Sequence, residues 1–396
     1  MVRSISDITG LAAGAIALCS IGYYLLCLYS AARFLRGRKA AGEGGRPTPS
    51  TQPVSILKPL RGTDPEMYES FRSHCVQDHL AYEIIFGVSD PADPAIELVE
   101  RLKKEFPQSA IYLKICSQNL GSNTKVSNLA QMLPQAKYEN ILVNDSDIRV
   151  EPDYLRRVIA PLQDDPIGLI TCLYRGIASP TLGSRLEAIG ISTDFAAGVL
   201  TAQQLEGAIR FGLGATLAFR RRDLETIGGF EAIVDYLADD YEIGKRIAQR
   251  GLKVKLSEVV VETFLPAYTL RQFLDHQLRW ARAVRDSRRG GYLGLVLTFG
   301  LPWAVIALVL TRGALWSWIV LAAVTCLRVG VAWIVAWSVL RDLQILRLLP
   351  LLPLRDFSAL LIWFASLFGH EVVWRGDVFE LKDGKLVRLE AAKRGL

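Results

Sequence analysis

The sequence predicts an α/β domain carried between membrane helices, on three observations. Short apolar runs that end in polar turn formers alternate with segments of helical period, the pattern of a sheet covered by helices. Apolar stretches of about bilayer length lie near both ends of the chain. Two carboxylates, Asp145 and Asp147, stand just past the run Ile141-Leu142-Val143. The carboxyl edge of an open α/β sheet is where ligands bind.

Composition supports a mixed chain. Of 396 residues, 51% are hydrophobic and 22% charged, with a mean hydropathy of +0.24. That suits one soluble domain of roughly 200–250 residues joined to membrane segments. The net charge is +6. Its basic clusters sit beside apolar segments, which points to anionic lipid headgroups and away from nucleic acid. Cys19, Cys27, Cys75, Cys116, Cys172 and Cys326 show no paired spacing. They read as reduced residues, with no zinc site or disulfide framework.

Taken in order, residues 8–28 form an apolar run followed at once by Arg33, Arg36, Arg38 and Lys39. A cleavable leader carries its charge before the apolar core, so this is an uncleaved anchor with the next residues cytoplasmic. Residues 40–52, rich in Gly, Pro, Ser and Thr, form a linker. The soluble domain begins at Pro53. Strands are predicted at 54–57, 82–88, 111–115 and 141–143, and Lys58-Pro59-Leu60 is predicted as a loop. Helices are expected at 66–76, 95–105 and 125–133, giving a parallel sheet with helices on both faces.

Beyond Pro152 a strand is expected at 168–173, an apolar helical region at 184–205 and a Gly-rich strand or loop at 211–219. Asp239-Asp240 opens a helix to Arg250, and 253–261 is a strand. Asp239 with Glu242 also fits a helix capping box. Residues 270–285 are amphipathic, suited to a membrane interface or to a surface helix. Apolar runs return at 293–310 and 315–340, the second holding Arg328, which either meets a lipid headgroup or pairs internally. Arg341, Arg347 and Arg355 mark the next loop as cytoplasmic. Residues 357–374 either span or re-enter.

The chemistry lies in the acids. Two carboxylates one residue apart repel each other and favour a hard cation between them, Mg2+ or Mn2+. Taken alone, an Asp turn in solvent is the plainer reading. Asp90 and Asp93 also follow a strand, Asp239 and Asp240 open a helix, and His276-Gln277-Leu278-Arg279-Trp280 closes the soluble region.

These motifs carry a resemblance. From Val54 to Arg285 the chain is similar to GT-A-type, lipid-acting and processive glycosyltransferases with a D, DxD, D, (Q/R)xxRW signature. It most resembles the ceramide glucosyltransferases and the related bacterial hopanoid-associated glycosyltransferases. The motifs behind this are Ser55-Ile56-Leu57-Lys58-Pro59-Leu60-Arg61-Gly62, Asp93-Pro94-Ala95-Ile96, Asn123-Thr124-Lys125-Val126-Ser127-Asn128-Leu129, Asp145-Ser146-Asp147-Ile148-Arg149-Val150 and Asp239-Asp240-Tyr241. His370 and Trp374-Arg375 resemble the family's tail pattern. His276 departs from the expected Gln or Arg, with Gln277 one residue on as a substitute, and Thr124 stands where Pro is frequent.

The resemblance implies a GT-A-type, Rossmann-like nucleotide-sugar domain inserted between N-terminal and C-terminal transmembrane helices. Its boundaries are an anchor at 8–30, a basic linker at 31–52, the transferase domain at 53–268 and an interface helix at 269–290. Transmembrane or re-entrant helices follow at 291–376, and a tail at 377–396. Lys58, Asp90, Asp93, Lys125 and Asp145 are implied to bind the nucleotide sugar. Asp145 and Asp147 hold Mn2+ or Mg2+, and Asp240 is the catalytic base. Gln277, Arg279 and Trp280 close over the diphosphate or the acceptor. The implied partners are a UDP-sugar and a membrane lipid, ceramide or a hopanoid, in a bacterial inner membrane with the catalytic domain cytoplasmic. A processive polysaccharide synthase is the lesser alternative.

Overall fold

The computed structural model describes residues 5–43, 52–374 and 377–388. Parts of the expected linker and tail therefore lie outside the described residues. The chain opens with the 39-residue helix α1 (Ile5–Glu43). At 1.5 Å per residue it is about 58 Å long, well beyond a hydrocarbon core of about 30 Å. Strand and helix then alternate through β1 (Val54–Leu60), α2 (Met67–Cys75), β2 (Tyr82–Val88), α3 (Ala95–Glu105), β3 (Ile111–Ile115), α4 (Thr124–Met132) and β4 (Asn140–Val143). A two-residue strand β5 (Ile148–Arg149), the helix α5 (Tyr154–Ile159) and the long β6 (Ile167–Ile177) follow. Next, α6 (Leu182–Gly190) and α7 (Ala196–Glu206) are joined by a π-helical turn, Ile191–Phe195. After them come β7 (Leu217–Arg220), α8 (Arg221–Thr226), α9 (Asp239–Gln249) and β8 (Lys253–Phe264). The remainder is α10 (Leu270–Ser287), α11 (Arg289–Gly294), α12 (Gly300–Leu310), α13 (Leu315–Ala332), α14 (Ile345–Leu348), α15 (Leu352–Ser366), β9 (Glu371–Trp374), β10 (Asp377–Lys382) and β11 (Lys385–Arg388).

These elements form two compact units that share the chain in alternating segments. A helical unit takes residues 1–39, 178–205 and 267–370. A sheet unit takes 40–177, 206–266 and 371–396. The expected continuous domain at 53–268 is thus interrupted, because 178–205 belongs with the helices.

In the sheet unit, eight strands run in the order β3-β2-β1-β4-β7-β6-β8-β5. The half from β3 to β4 is parallel. β7 then pairs antiparallel with both β4 and β6. The sheet is therefore mixed, which corrects the all-parallel expectation. Its cause is the return of β7 between two strands that run the other way. β1 also continues through Lys58-Pro59-Leu60, which sequence assigned to a loop. β2 pairs with it as far as Leu60, whereas β4 pairs only as far as Leu57. Pro59 thus lies where β1 has an open edge, the position in which a strand tolerates proline. The core is apolar: Ile56, Leu57, Ile85, Phe86, Leu142, Val143 and Leu173 are fully buried. A separate three-stranded antiparallel sheet, β11-β10-β9, belongs to the same unit.

In the helical unit, α1 is held by polar bonds to the chain before α12. Ser20 Oγ donates to Leu297 O (2.7 Å) and Tyr24 OH donates to Thr298 O (3.0 Å). Among the described residues, Ser6–Ala40 and Leu315–Val339 are long and apolar enough to cross a membrane. A third span arises if Arg289–Thr298 and Gly300–Leu310, bent by 53°, act as one. α10 starts with a capping box, the Thr269 hydroxyl accepting from Gln272 N while the Gln272 side chain accepts from Thr269 N. The helix in the 357–374 region stops at Ser366, and Gly369 turns the chain with φ 76°. Residues 371–374 are a strand of the sheet unit, which corrects the expected transmembrane or re-entrant stretch through residue 376.

Arg328 pairs internally. Its guanidinium donates to Asp356 Oδ1 (2.7 Å), Asp194 Oδ1 (2.5 Å) and Thr193 Oγ1 (3.1 Å). Arg355 Nε lies 3.1 Å from the other oxygen of Asp194. Two arginines and two aspartates thus neutralise one another inside the helices. Sequence alone marks Arg328 as costly in an apolar segment but does not reveal its carboxylate partners.

Candidate active site

Asp145 and Asp147 at the carboxyl end of β4 gather with Asp239 and Asp240 at the start of α9. β4 is followed by Asn144, which is fully buried. Its amide donates to Tyr154 OH (2.9 Å) and to Ala215 O (2.6 Å). This pins the Asp145–Asp147 turn to the loop ahead of β7. Two further bonds fix the same turn. The Lys58 ammonium donates to Asp145 O (2.9 Å), and Ser146 Oγ donates to Asp64 Oδ2 (2.5 Å). Lys58 therefore stands behind the turn as a buried support and does not line the cleft described below. Burial pushes its ammonium down to about 7, against the opposing pull of Asp147 and Asp145.

Lys125 lies in the first turn of α4, which is capped by the Asn123 side chain accepting from Val126 N (3.2 Å). Its ammonium lies 2.8 Å from Asp145 Oδ1 and 3.2 Å from Asp239 Oδ2. Burial opposes its charge, but Asp145 and Asp239 outweigh that and raise its pKa. Asp239 and Asp240 are the first residues of α9. The capping-box alternative does not form. The helix has no side-chain cap, and Glu242 instead pairs with Lys245 (3.1 Å) and Arg246 (2.9 Å). Asp239 turns to Lys125. Burial, then Asp239, pushes the Asp240 carboxyl up to about 6.

A glycine makes room at the centre. A methyl group built on Gly214 would lie 3.3 Å from Asp145 Oδ2 and 3.3 Å from Asp240 Oδ2. Both carboxylates thus border one small space. Nearby, a methyl on Gly244 of α9 would stand 2.3 Å from Gly212 N, so glycine there lets the loop lie against the helix. Gly212 N also donates to Asp240 O (3.1 Å). The sequence reading noticed the glycines of 211–219 without assigning them this part.

Asp147 accepts a hydrogen bond from Thr263 Oγ1. Burial, then Asp145, pushes its carboxyl up to about 6. Two hard oxygen donors one residue apart fit a divalent cation. Among the described residues no set of three metal-ligating side chains is preformed. Mg2+ commonly takes one or two carboxylates and completes its shell with water and substrate phosphates.

Asp90 and Asp93 lie apart from this cluster, on a cleft of about 740 Å³ at the ends of β2 and β3. Asp93 is nearly buried, accepting from Gly62 N (2.8 Å) and Ala95 N (2.9 Å). Asp90 is exposed and accepts from Ala92 N (2.8 Å). The cleft is also lined by Arg61, Asp377 and Arg388, which the sequence reading did not place there.

Gln277, Arg279 and Trp280 sit on α10 in the helical unit. Gln277 Nε2 donates to Glu187 Oε2 (2.8 Å), and His276 Nδ1 lies 3.2 Å from the other oxygen of the same carboxylate. The pair His276-Gln277 thus anchors α10 to α6. Trp280 packs its ring against His276 (centroids 5.2 Å apart) and Phe195 (6.4 Å).

Comparison with known proteins agrees with this architecture. The sequence matches glycosyl transferase family 21 over residues 12–387. It is 24% identical over 363 residues to ceramide glucosyltransferase 1 of Caenorhabditis elegans, covering 86% of this chain and 74% of that protein. It is 26% identical over 230 residues to ceramide glucosyltransferase 3 of the same organism, covering 58% of this chain and half of the other's length. In three dimensions it shares a fold with a mannosyltransferase from Pyrobaculum calidifontis solved with GDP-Man and Mn2+. The TM-score is 0.57 at 20% identity, over 91% of this chain and 99% of the other. With a GT-A-type sheet, acids gathered at its carboxyl edge and a family match across nearly the whole length, the chain belongs to glycosyl transferase family 21 and is a hexosyltransferase of the ceramide glucosyltransferase family.

Proposed function

We propose that this protein moves a hexose from a UDP-sugar to the hydroxyl of a membrane lipid, with inversion. The leading reaction is UDP-glucose plus ceramide giving glucosylceramide plus UDP. The observation that carries the reading is the shared space at Gly214, bordered by Asp145 from the DxD turn and by Asp240 from α9. One acid of the donor motif and one candidate base thus face the same reacting centre.

In this mechanism Asp240 takes the proton of the acceptor hydroxyl as its oxygen attacks the anomeric carbon. The bond from that carbon to the diphosphate oxygen breaks, and UDP leaves. One base and one displacement invert the centre, so an α-linked donor gives a β-linked product, the logic of inverting glycosidases run as transfer. Burial and the neighbouring Asp239 raise the Asp240 carboxyl above the ordinary aspartate range, which makes it the stronger base that general-base catalysis favours. Lys125 holds Asp145 and Asp239 in place and offsets their charge. Lys58 and Asn144 keep the DxD turn rigid. A divalent cation held by Asp145 and Asp147, Mn2+ or Mg2+, would neutralise charge on the departing diphosphate. Asp90 and Asp93 face the nucleoside, and Arg279 with Trp280 meets the acceptor or the diphosphate.

A lipid acceptor is supported by the apolar helices that share this chain with the transferase sheet. The basic residues after the apolar part of α1, Arg33, Arg36 and Lys39, favour a cytoplasmic sheet unit, and the proposed setting is a bacterial inner membrane. The proposed boundaries are an anchor at 8–30, a linker at 31–52, a transferase region at 53–268 that excludes 178–205, an interface helix at 269–290 and membrane helices from 291 to the end of α15.

The test uses purified protein in lipid nanodiscs with Mn2+, given UDP-glucose, UDP-galactose or UDP-N-acetylglucosamine with ceramide or a hopanoid polyol. Mass spectrometry reads the product. Glycosylceramide supports the leading reaction, and a glycosylated hopanoid replaces the acceptor while keeping the mechanism. Asp240→Asn is expected to lower transfer roughly 10²–10⁴-fold while UDP binding changes little. Normal turnover by that variant removes Asp240 as the base.

A further inference from the structure

The last described segment of the chain folds back onto the transferase sheet unit. In an antiparallel pair the register decides which side chains share a face. Phe379 lies opposite Arg388, and Asp377 stands two residues before Phe379, so these three share one face of the small sheet. All three line the cleft that Asp90 and Asp93 also line. The other face carries Val373, Glu380, Lys382 and Val387, all exposed.

The sheet is fixed in that position. Leu386 N donates to Asp235 O (2.7 Å), and Leu237 N donates to Gly384 O (3.0 Å). Val372, Phe379, Leu381 and Leu386 form a buried cluster against Leu237. β11 is therefore tied to residues 235–237, the stretch that leads directly into Asp239 and Asp240. The wall of the cleft and the segment carrying the base are one connected piece.

Charge suggests what the wall meets. Both oxygens of Asp93 are already occupied by backbone N–H groups. Asp377 lies between two guanidiniums, 3.3 Å from Arg388 and 4.0 Å from Arg61. The Arg388 side chain is 64% exposed, so Asp377 keeps it at the cleft while leaving most of it open. A planar guanidinium is suited to phosphate oxygens and to base carbonyls. We propose that the C-terminal sheet is a wall of the donor site and that Arg388 contacts the nucleoside diphosphate, which rests on the reading of this cleft as the donor cleft.

The experiment titrates UDP, with GDP in parallel, into the full chain in nanodiscs with Mn2+. Arg388→Ala and Arg388→Gln are expected to weaken UDP binding about tenfold, the loss of one hydrogen bond to a charged group. Lys382→Ala, which removes the same charge from the opposite face, is expected to bind UDP as the wild type does. All three variants should melt at the wild-type temperature. Unchanged UDP affinity in the Arg388 variants overturns the proposal. So does an equal loss in Lys382→Ala, which would mark a long-range charge effect, or a loss accompanied by a lower melting temperature in both Arg388 variants. A wild type that binds neither nucleotide removes the donor-cleft reading itself, and this inference with it.

Discussion

Gly214 is outside the left-handed backbone region, so its conformation would accept an alanine. The space is tight, since the added methyl meets Asp145 Oδ2 and Asp240 Oδ2 at 3.3 Å each and these carboxylates must give by a few tenths of an ångström. Gly214→Ala is expected to lower kcat/KM for transfer by roughly tenfold, short of the roughly 10²-fold cost of misplacing a reacting group by about 1 Å. The melting temperature should stay near the wild-type value. An alanine variant with full activity would mean that the two carboxylates do not act across that space. At this scale the acids were legible because each follows an abrupt end of an apolar run or opens a helix. Lys58 was legible as a motif member but not as a support, since nothing local says that β1 continues past it. The bond from Gln277 to Glu187 was not legible, because the two lie 90 residues apart in sequence.

At the scale of elements, α4 and the chain before α9 are joined by one side chain. Asn123 caps α4 by accepting from Val126 N, and its amide donates to Tyr236 O (2.7 Å). An aspartate can do the first and not the second. Asn123→Asp is therefore expected to keep most of the cap while loosening the segment that delivers Asp239 and Asp240, so kcat falls with little change in melting temperature. Asn123→Ala loses both roles and should also cost about 1 kcal/mol of stability, the usual value of an N-cap. Equal activity in the aspartate variant and the wild type would show that Tyr236 needs no such tether. Strands β1, β2 and β4 were legible because buried parallel strands read as largely apolar runs. β5 has two residues and no period to detect, and the antiparallel placement of β7 is set by its partners and not by its own sequence. The strands β9 to β11 follow an apolar helix closely enough that sequence merged the first of them with it.

For the molecule as a whole, the division into two units was only half visible. Apolar runs showed that membrane helices flank a transferase region, and the unusual apolarity of 184–205 was noted. What assigns 178–205 to the helices is tertiary: Asp194 answers Arg328, and Glu187 answers Gln277. Removing the arginine would leave the buried Asp356 carboxylate without its partner, while Asp194 keeps Arg355. Arg328→Leu is expected to destabilise the protein by about 3–5 kcal/mol, the cost of breaking a buried pair from one side. Arg328→Met combined with Asp356→Leu should recover part of that loss, because the second charge leaves with the first. The measurement is melting temperature and monodisperse yield in detergent. A single variant as stable as the wild type would show that water or lipid already satisfies the aspartates.

That same cluster also sets an order for biogenesis. As the ribosome delivers α13, Asp194 has already been made, while Asp356 lies 28 residues behind Arg328. The arginine therefore reaches the translocon with one counter-ion available and one still to come, and an arginine alone at the centre of a span is costly to partition into lipid. α13 is thus poised to linger at the lateral gate, or to enter alongside 178–205, until α15 is delivered. Co-translational assembly, and not the hydropathy of α13 by itself, would then time its release into the bilayer.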